Sequence, residues 1–458
     1  MEKLLAIFAI ATLIVSCSSE KQATNTEENL REGEVLVVNQ EGQAIANARI
    51  YINEESFVSI ESNAEGILKL PEDTKSIHLV ADGYIPTSFL NLAPDQRLFQ
   101  MRKSMQKIEV KGKTLEYGKL RKDGYVDFGL VLPMTKRSSI FQFDLAQFVS
   151  PEMDQIEVVG RKINIPSNVA LPEQKESYLF LTIKFNKPDY RSFFFAPGEY
   201  SLVALHGKFP LKTMVDEVRS GNDFSGLINH FEYLQFGRRE LNVLGPVVGA
   251  DIQVDEFSMN DKYLIKAPNL MPNGFSYFAA LMTEENSKFF STDVKKIQTS
   301  EYLQRQSSVG LPFVLGAIAK EEEVDGKRRV NPAMSLSVMP AVDGIQMTHL
   351  PLVEKPRLEN NQLRFNSPAP NNTYPLATHV ALKKALPDGY GEEVVWDIYV
   401  ADWVEQVEVP NLASILSQTA NTKWEVNFLS SYEDEGILSG PEAYEMAEFL
   451  TKNALENQ

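Results

Sequence analysis

The chain is predicted to be mostly β, built as tandem β-sandwich domains with a short helical interlude and a C-terminal helix. Three observations carry that expectation. Apolar residues recur two apart over most of the length, the period of strands that bury one face. Turns rich in glycine, asparagine and proline separate those runs. The 26 Phe and 16 Tyr suit sheet packing. A chain of 458 residues exceeds one core, and at about 100–200 residues per domain it should hold three or four.

The N-terminus reads as a processing segment. Lys3 precedes Leu4 to Val15, an uncharged, mostly apolar run of twelve residues. A membrane-spanning helix needs about 20 apolar residues, so the run fits the apolar core of a signal peptide. Leu13-Ile14-Val15-Ser16-Cys17 closes it, and Cys17 is the only cysteine. These residues resemble the lipobox of bacterial lipoproteins. The resemblance implies that residues 1–16 are a signal peptide and that Cys17 becomes the lipidated first residue of the mature protein. More than one acyl chain at Cys17 would give stable anchoring. Ser18, rather than Asp, follows the cysteine, which in diderm lipoproteins favours the outer membrane. The expected location is the bacterial cell envelope. Residues 17–32 (CSSEKQATNTEENLRE) are polar and read as a flexible tether.

Residues 33–103 form the most readable folded unit. Val35 and Val37, Ile50 and Ile52, Leu68 and Leu70, and Ile77 and Leu79 each sit two apart. Asn39-Gln40-Glu41-Gly42, Asn63-Ala64-Glu65-Gly66 and Asp82-Gly83 supply turns in which glycine can take a positive φ. Gly33-x-Val35-x-Val37, Gly42-x-x-Ile45-x-x-Ala48-x-Ile50, Ser62-Asn63-x-x-Gly66-x-Leu68-x-Leu70 and Ala81-x-Gly83-Tyr84 resemble the carboxypeptidase regulatory-like module. That resemblance implies a small sandwich of transthyretin-like topology and no catalytic residues. Ala44 stands where that family often has proline. His78 alternates with Ile77 and Leu79 and is expected at the surface.

Residues 104–236 continue as a β-rich domain. Ile108-Glu109-Val110-Lys111-Gly112-Lys113 is echoed by Ile156-Glu157-Val158-Val159-Gly160-Arg161, a duplicated strand entry or chance alike. The domain ends in a helical interlude over 211–233, where Leu211, Met214, Val215 and Val218, then Leu227, Ile228, Phe231 and Leu234, fall at helical spacing. Residues 237–342 return to strands. Glu321-Glu322-Glu323 and Lys327-Arg328-Arg329 flank Asp325-Gly326 as the arms of a hairpin.

In residues 343–434, Leu363 with Phe365, Val380 with Leu382, Val395-Trp396-x-Ile398-Tyr399 and Trp424-x-Val426-x-Phe428 resemble fibronectin type III or related immunoglobulin-like strands. Trp396, Trp403 and Trp424 are expected to fill that core, an exposed platform for sugars being the other reading. Residues 435–458 should form the C-terminal helix. Ser439-Gly440-Pro441-Glu442 resembles a capping box, and Tyr444, Ala447, Leu450 and Leu455 would give one apolar face.

Composition bounds the function. A net charge of −17, unchanged when residues 1–16 are removed, argues against nucleic acid and against anionic lipid as a partner of the body. The five histidines (78, 206, 230, 349 and 379) lack the HExxH spacing of zinc hydrolases. His206 and His230 are the closest pair, 24 apart, around the helical interlude. Neither a Gly-x-Ser-x-Gly elbow nor a phosphate-cradling loop occurs, and no metal or cofactor is expected. The leading expectation is a non-catalytic envelope lipoprotein, held to the membrane by lipid on Cys17 and binding a protein or polysaccharide partner. Two readings stand beside it: an envelope hydrolase with its site in 105–340, and a structural spacer.

Overall fold

The computed structural model describes residues 30–456 except 53–55, 94, 105–107, 116–123, 135, 137–139, 142–152, 159–160, 167–181, 186–187, 195–196, 211, 214–215, 217–223, 257–259, 270–272, 306–309, 325–326, 370–371, 386–391, 411–421, 435–437 and 439. The chain is mostly β, in several sheets. The largest has twelve strands. In spatial order they are Lys288–Ile297, Phe275–Glu285, Leu311–Val324, Lys327–Pro340, Phe449–Glu456, Thr422–Ser431, Tyr374–Ala385, Glu392–Val400, Thr87–Leu90, Ser76–Val80, Arg49–Ile52 and Ser56–Glu61. Neighbours are antiparallel except Glu392–Val400 and Thr87–Leu90, which run parallel, with Tyr399 opposite Phe89. Strands from residues 33–103, 237–342, 343–434 and the C-terminus thus share one hydrogen-bonded ladder.

The N-terminal unit follows its sequence pattern. Glu34–Asn39 pairs with Ile67–Lys69 and with Leu98–Met101 in a three-stranded sheet. Val35, Val37, Ile50, Ile77, Leu79, Phe89 and Phe99 are packed together between that sheet and the large one. The turn asparagines act as expected of short polar side chains. Asn39 Oδ1 accepts from the N–H groups of Glu41 and Gln43, and Asn63 Oδ1 from those of Glu65 and Ile67. Gly42, Gly66 and Gly83 have φ of 73°, 75° and 82°. Ser62 Oγ donates to the Ile45 carbonyl at 2.7 Å and accepts from the Ala48 N–H at 2.9 Å. Leu30 is buried against Leu36 and Val38, so the folded body already includes the end of the expected tether.

Ile108–Leu115, Tyr125–Pro133, Thr182–Phe185, Asp189–Phe194, Gly198–Pro210, Glu232–Val243, Val247–Val248 and Ile252–Glu256 form an eight-stranded sheet. Ile108, Val110, Val131, Leu202, Ala204, Ile252 and Val254 are central to its core. In the expected helical interlude the described residues Lys212, Thr213 and Asp216 are helical, and its second half is a 3-10 helix over Phe224–His230. Leu234 lies in a strand instead, because Glu232–Val243 pairs antiparallel with the length of Gly198–Pro210. The echoed sequences also differ: the first runs within one strand, while the second spans Met153–Val158 and the start of the next strand, Arg161–Pro166. The charged hairpin forms as predicted, with Glu322 opposite Arg329 and Glu323 opposite Arg328.

Trp396, Trp424, Val380, Val426 and Phe428 form a core on one face of the large sheet, under the small sheet of Arg357–Glu359, Gln362–Arg364 and Gln406–Glu408. The C-terminal helix is corrected. Among the described residues of 435–458 only Ala443–Met446 is helical, with Glu442 at its N-cap and no side-chain cap bond, and Ser439 lies outside the described residues. Phe449–Glu456 is a strand seated between Lys327–Pro340 and Thr422–Ser431. Two strand edges there need a partner: Thr422–Ser431 pairs along the length of Phe449–Glu456, and Lys327–Pro340 pairs with Phe449–Lys452 through Met334–Ser337, so peptide groups on both sides find partners. That outweighs the helical spacing of Tyr444, Ala447 and Leu450.

Candidate functional site

Side chains alternate across the Tyr374–Ala385, Glu392–Val400 and Thr422–Ser431 strands. The face opposite the tryptophans carries His379, Lys383, Asp397, Tyr399, Glu425 and Asn427, where an apolar layer would be expected. Each is placed by register. His379 lies opposite both Tyr399 and Asn427, and Asn427 lies opposite Lys452 of the C-terminal strand. One row along, Glu425 sits between Ala381 and Ala454. The small alanines leave room for longer side chains to converge on its carboxylate.

The result is a continuous buried polar belt. Arg102, just beyond the Leu98–Met101 strand, donates Nε to Asp397 Oδ2 at 2.8 Å and Nη2 to Asp397 Oδ1. His379 Nε2 is 2.8 Å from Asp397 Oδ1, and His379 Nδ1 is 2.6 Å from the Tyr444 hydroxyl. A carboxylate can only accept, so Nε2 carries the proton and Tyr444 donates to Nδ1. The His379 ring stacks on Tyr399, centroids 4.5 Å apart. Asn427 Nδ2 lies 3.4 Å from His379 Nδ1 and 3.3 Å from Glu425 Oε1. Lys383 Nζ donates to Glu425 Oε2 at 2.6 Å, Lys452 Nζ stands 3.6 Å from the same oxygen, and Lys423 pairs with Glu392 at 2.6 Å.

Electrostatics fixes the charge states. Burial pushes the Asp397 carboxyl upward, but Arg102 and the His379 hydrogen bond outweigh it and hold it at about 2. Burial likewise works to raise Glu425, yet Lys383, then Lys452 and Lys423, hold it well below the carboxylate range. Burial lowers His379 more than Asp397 raises it, so the ring is neutral. Asp397 is 0% exposed, His379 3% and Tyr444 2%. A general base or nucleophile must come within hydrogen-bond reach of its substrate, and these groups reach one another. In this geometry the belt ties the N-terminal unit, the central strands and the C-terminal strand together.

Cys17 lies outside the described residues. His78 is corrected from surface to interior: it is 2% exposed, because the sheet is covered on both faces. Its Nδ1 is 2.8 Å from Ser88 Oγ, Ser88 accepts from Trp396 Nε1 at 2.9 Å, and burial holds the imidazole at about 4. The structure does not join His206 and His230 through a shared ligand set. His206 contacts Thr114 Oγ1 at 2.6 Å and Gln235 Oε1 at 3.3 Å, while His230 is exposed beside Phe209. Trp396 and Trp424 are core residues, and half-buried Trp403 donates to the Leu429 carbonyl. Among the described residues no group of three or more His, Cys, Asp or Glu could hold a metal, and no helix is long and apolar enough to cross a membrane.

Sequence reasoning missed Arg102, Asp397, Glu425, Asn427, Tyr444 and the lysines. One signal was available. Asp397 interrupts Val394-Val395-Trp396-Asp397-Ile398-Tyr399-Val400, and a lone carboxylate inside an otherwise apolar strand requires a buried cation.

No known protein family matches the chain, and no curated protein does. Among solved structures, the Bacillus anthracis TIE protein is similar over 68% of this chain and 48% of its own, at 9% identity and a TM-score of 0.17. The chain therefore spans less than half of that protein's length. The major pilin subunit BcpA of Bacillus cereus is similar over 69% of this chain and 98% of its own, at 8% identity and a TM-score of 0.14. At such scores the architecture rests on the strand pairings themselves: a mostly-β chain of stacked sheets.

Proposed function

We propose that this chain is a cell-envelope lipoprotein, anchored through lipid on Cys17, whose tandem β-sandwich body serves a non-catalytic role in binding a protein or polysaccharide partner. The observation that carries the reading is Leu13-Ile14-Val15-Ser16-Cys17 at the end of an apolar run, with the chain's one cysteine at the position where processing would use a thiol. The polar residues after Cys17 supply a spacer between lipid and body. The body fits a scaffold, since Arg102, His379, Asp397, Lys383 and Glu425 join its strands to one another. Exposed loops on such a scaffold are where recognition concentrates.

The test is fractionation of the Cys17→Ser chain against wild type after a high-salt wash. Release of the variant into the soluble fraction supports the anchor. Retention with membranes overturns it.

A further inference from the structure

The lysine end of the belt brings an amine, a carboxamide and a carboxylate together on adjacent strands. Asn427 and Lys452 are directly opposite in register, so their Cβ atoms stand about 5 Å apart. Both turn toward one carboxylate: Asn427 Nδ2 is 3.3 Å from Glu425 Oε1, and Lys452 Nζ is 3.6 Å from Glu425 Oε2. All three are buried, Asn427 and Lys452 at 1% exposure and Glu425 at 6%.

We propose that Lys452 and Asn427 become joined by a side-chain amide bond, with Glu425 carrying the proton. Glu425 takes a proton from the Lys452 ammonium, leaving a free amine. Lys452 Nζ attacks Asn427 Cγ, the Nζ–Cγ bond forms, and the Cγ–Nδ2 bond breaks. Glu425 returns its proton to the departing nitrogen. In total two protons leave Nζ, and both depart with the nitrogen as ammonium. Glu425 ends as it began, and nothing is oxidised or reduced.

Three features favour the step. Folding holds amine and amide as neighbours, which replaces a bimolecular encounter by an intramolecular one. Burial excludes water as a competing nucleophile. Charge also improves: Lys383, Lys423 and Lys452 meet Glu425 and Glu392 in this cluster, and converting Lys452 to an amide leaves two cations for two carboxylates, removing an ammonium that is costly to bury.

Peptide mapping of the full chain decides the matter. Cleavage after glutamate separates the two residues, since Glu433, Glu435, Glu442, Glu445 and Glu448 lie between them. The expected product is a branched peptide carrying both Asn427 and Lys452, lighter than the sum of its arms by one ammonia. Trypsin, which needs a free lysine, should pass over Lys452. Recovery of only the two unlinked peptides from wild type overturns the proposal. Asn427→Ala and Lys452→Arg should each give linear peptides alone, and a branched peptide from either would show that the bond joins other residues. A link that forms at the wild-type extent in Glu425→Gln would remove Glu425 from the chemistry.

Discussion

Arg102 and Asp397, 295 positions apart, form a buried ion pair in which the guanidinium donates to both carboxylate oxygens. Arg102 follows the last strand of the N-terminal unit, and Asp397 is mid-strand in the C-terminal body. Between them runs the one parallel pairing of the large sheet.

Removing one partner strands the other charge. Arg102→Met should cost about 3–5 kcal/mol, read by urea unfolding at neutral pH. Adding Asp397→Leu should restore part of it. The folded carboxyl sits at about 2, below its ordinary value. Its stabilisation is therefore complete above the ordinary carboxylate range and is lost as pH falls through that range toward 2.

His78 gives a separate pH signature. Its folded value is about 4 against an ordinary 6.5, so the unfolded chain binds the proton more readily. Stability should be intact above 6.5 and decline as pH falls toward 4, by about 3 kcal/mol over the window. His379, lowered by burial too, acts in the same direction. Equilibrium unfolding at stepped pH should show a shallower decline for His78→Gln. An unchanged slope would place the titration elsewhere.

Gly66 and Gly83 separate backbone conformation from crowding. Both have positive φ, but a Cβ on Gly66 would stand 2.6 Å from the Val37 carbonyl oxygen, whereas one on Gly83 meets nothing within 4 Å. Gly83→Ala should cost about 1 kcal/mol, and Gly66→Ala about 2–4 through added overpacking. Thermal unfolding of the two variants checks the order.

Residues 33–103 alone should fold poorly, contrary to what their strand pattern suggests. A fragment this size buries only about 60% of its unfolded surface. It would also expose the edge of Thr87–Leu90 that pairs with Glu392–Val400, and leave Arg102 without Asp397. A collapsed, undispersed amide spectrum is expected. Sharp dispersed signals would show that the unit closes its own core.

What could be read from sequence was local. In 33–103 the alternation of Val35 with Val37 and the turns ending at Gly42 and Gly66 depend on neighbours along the chain, and the structure keeps them. The C-terminus could not be read that way. Leu450 is spaced for a helix, yet its carbonyl accepts from Ser335 Oγ and Thr451 beside it bonds partners a hundred or more positions away. The belt was hidden for the same reason. His379, Asp397 and Glu425 look unrelated until three strands come into register.

The position of Phe449–Glu456 in the middle of the twelve-stranded sheet has a consequence for timing. A ribosome releases the chain from its N-terminus, so this strand emerges after the other eleven of its sheet. Until it does, the ladder ending at Lys327–Pro340 and the ladder beginning at Thr422–Ser431 face each other across an unfilled slot. The growing polypeptide can assemble both halves, but the finished sheet must wait for Phe449–Glu456.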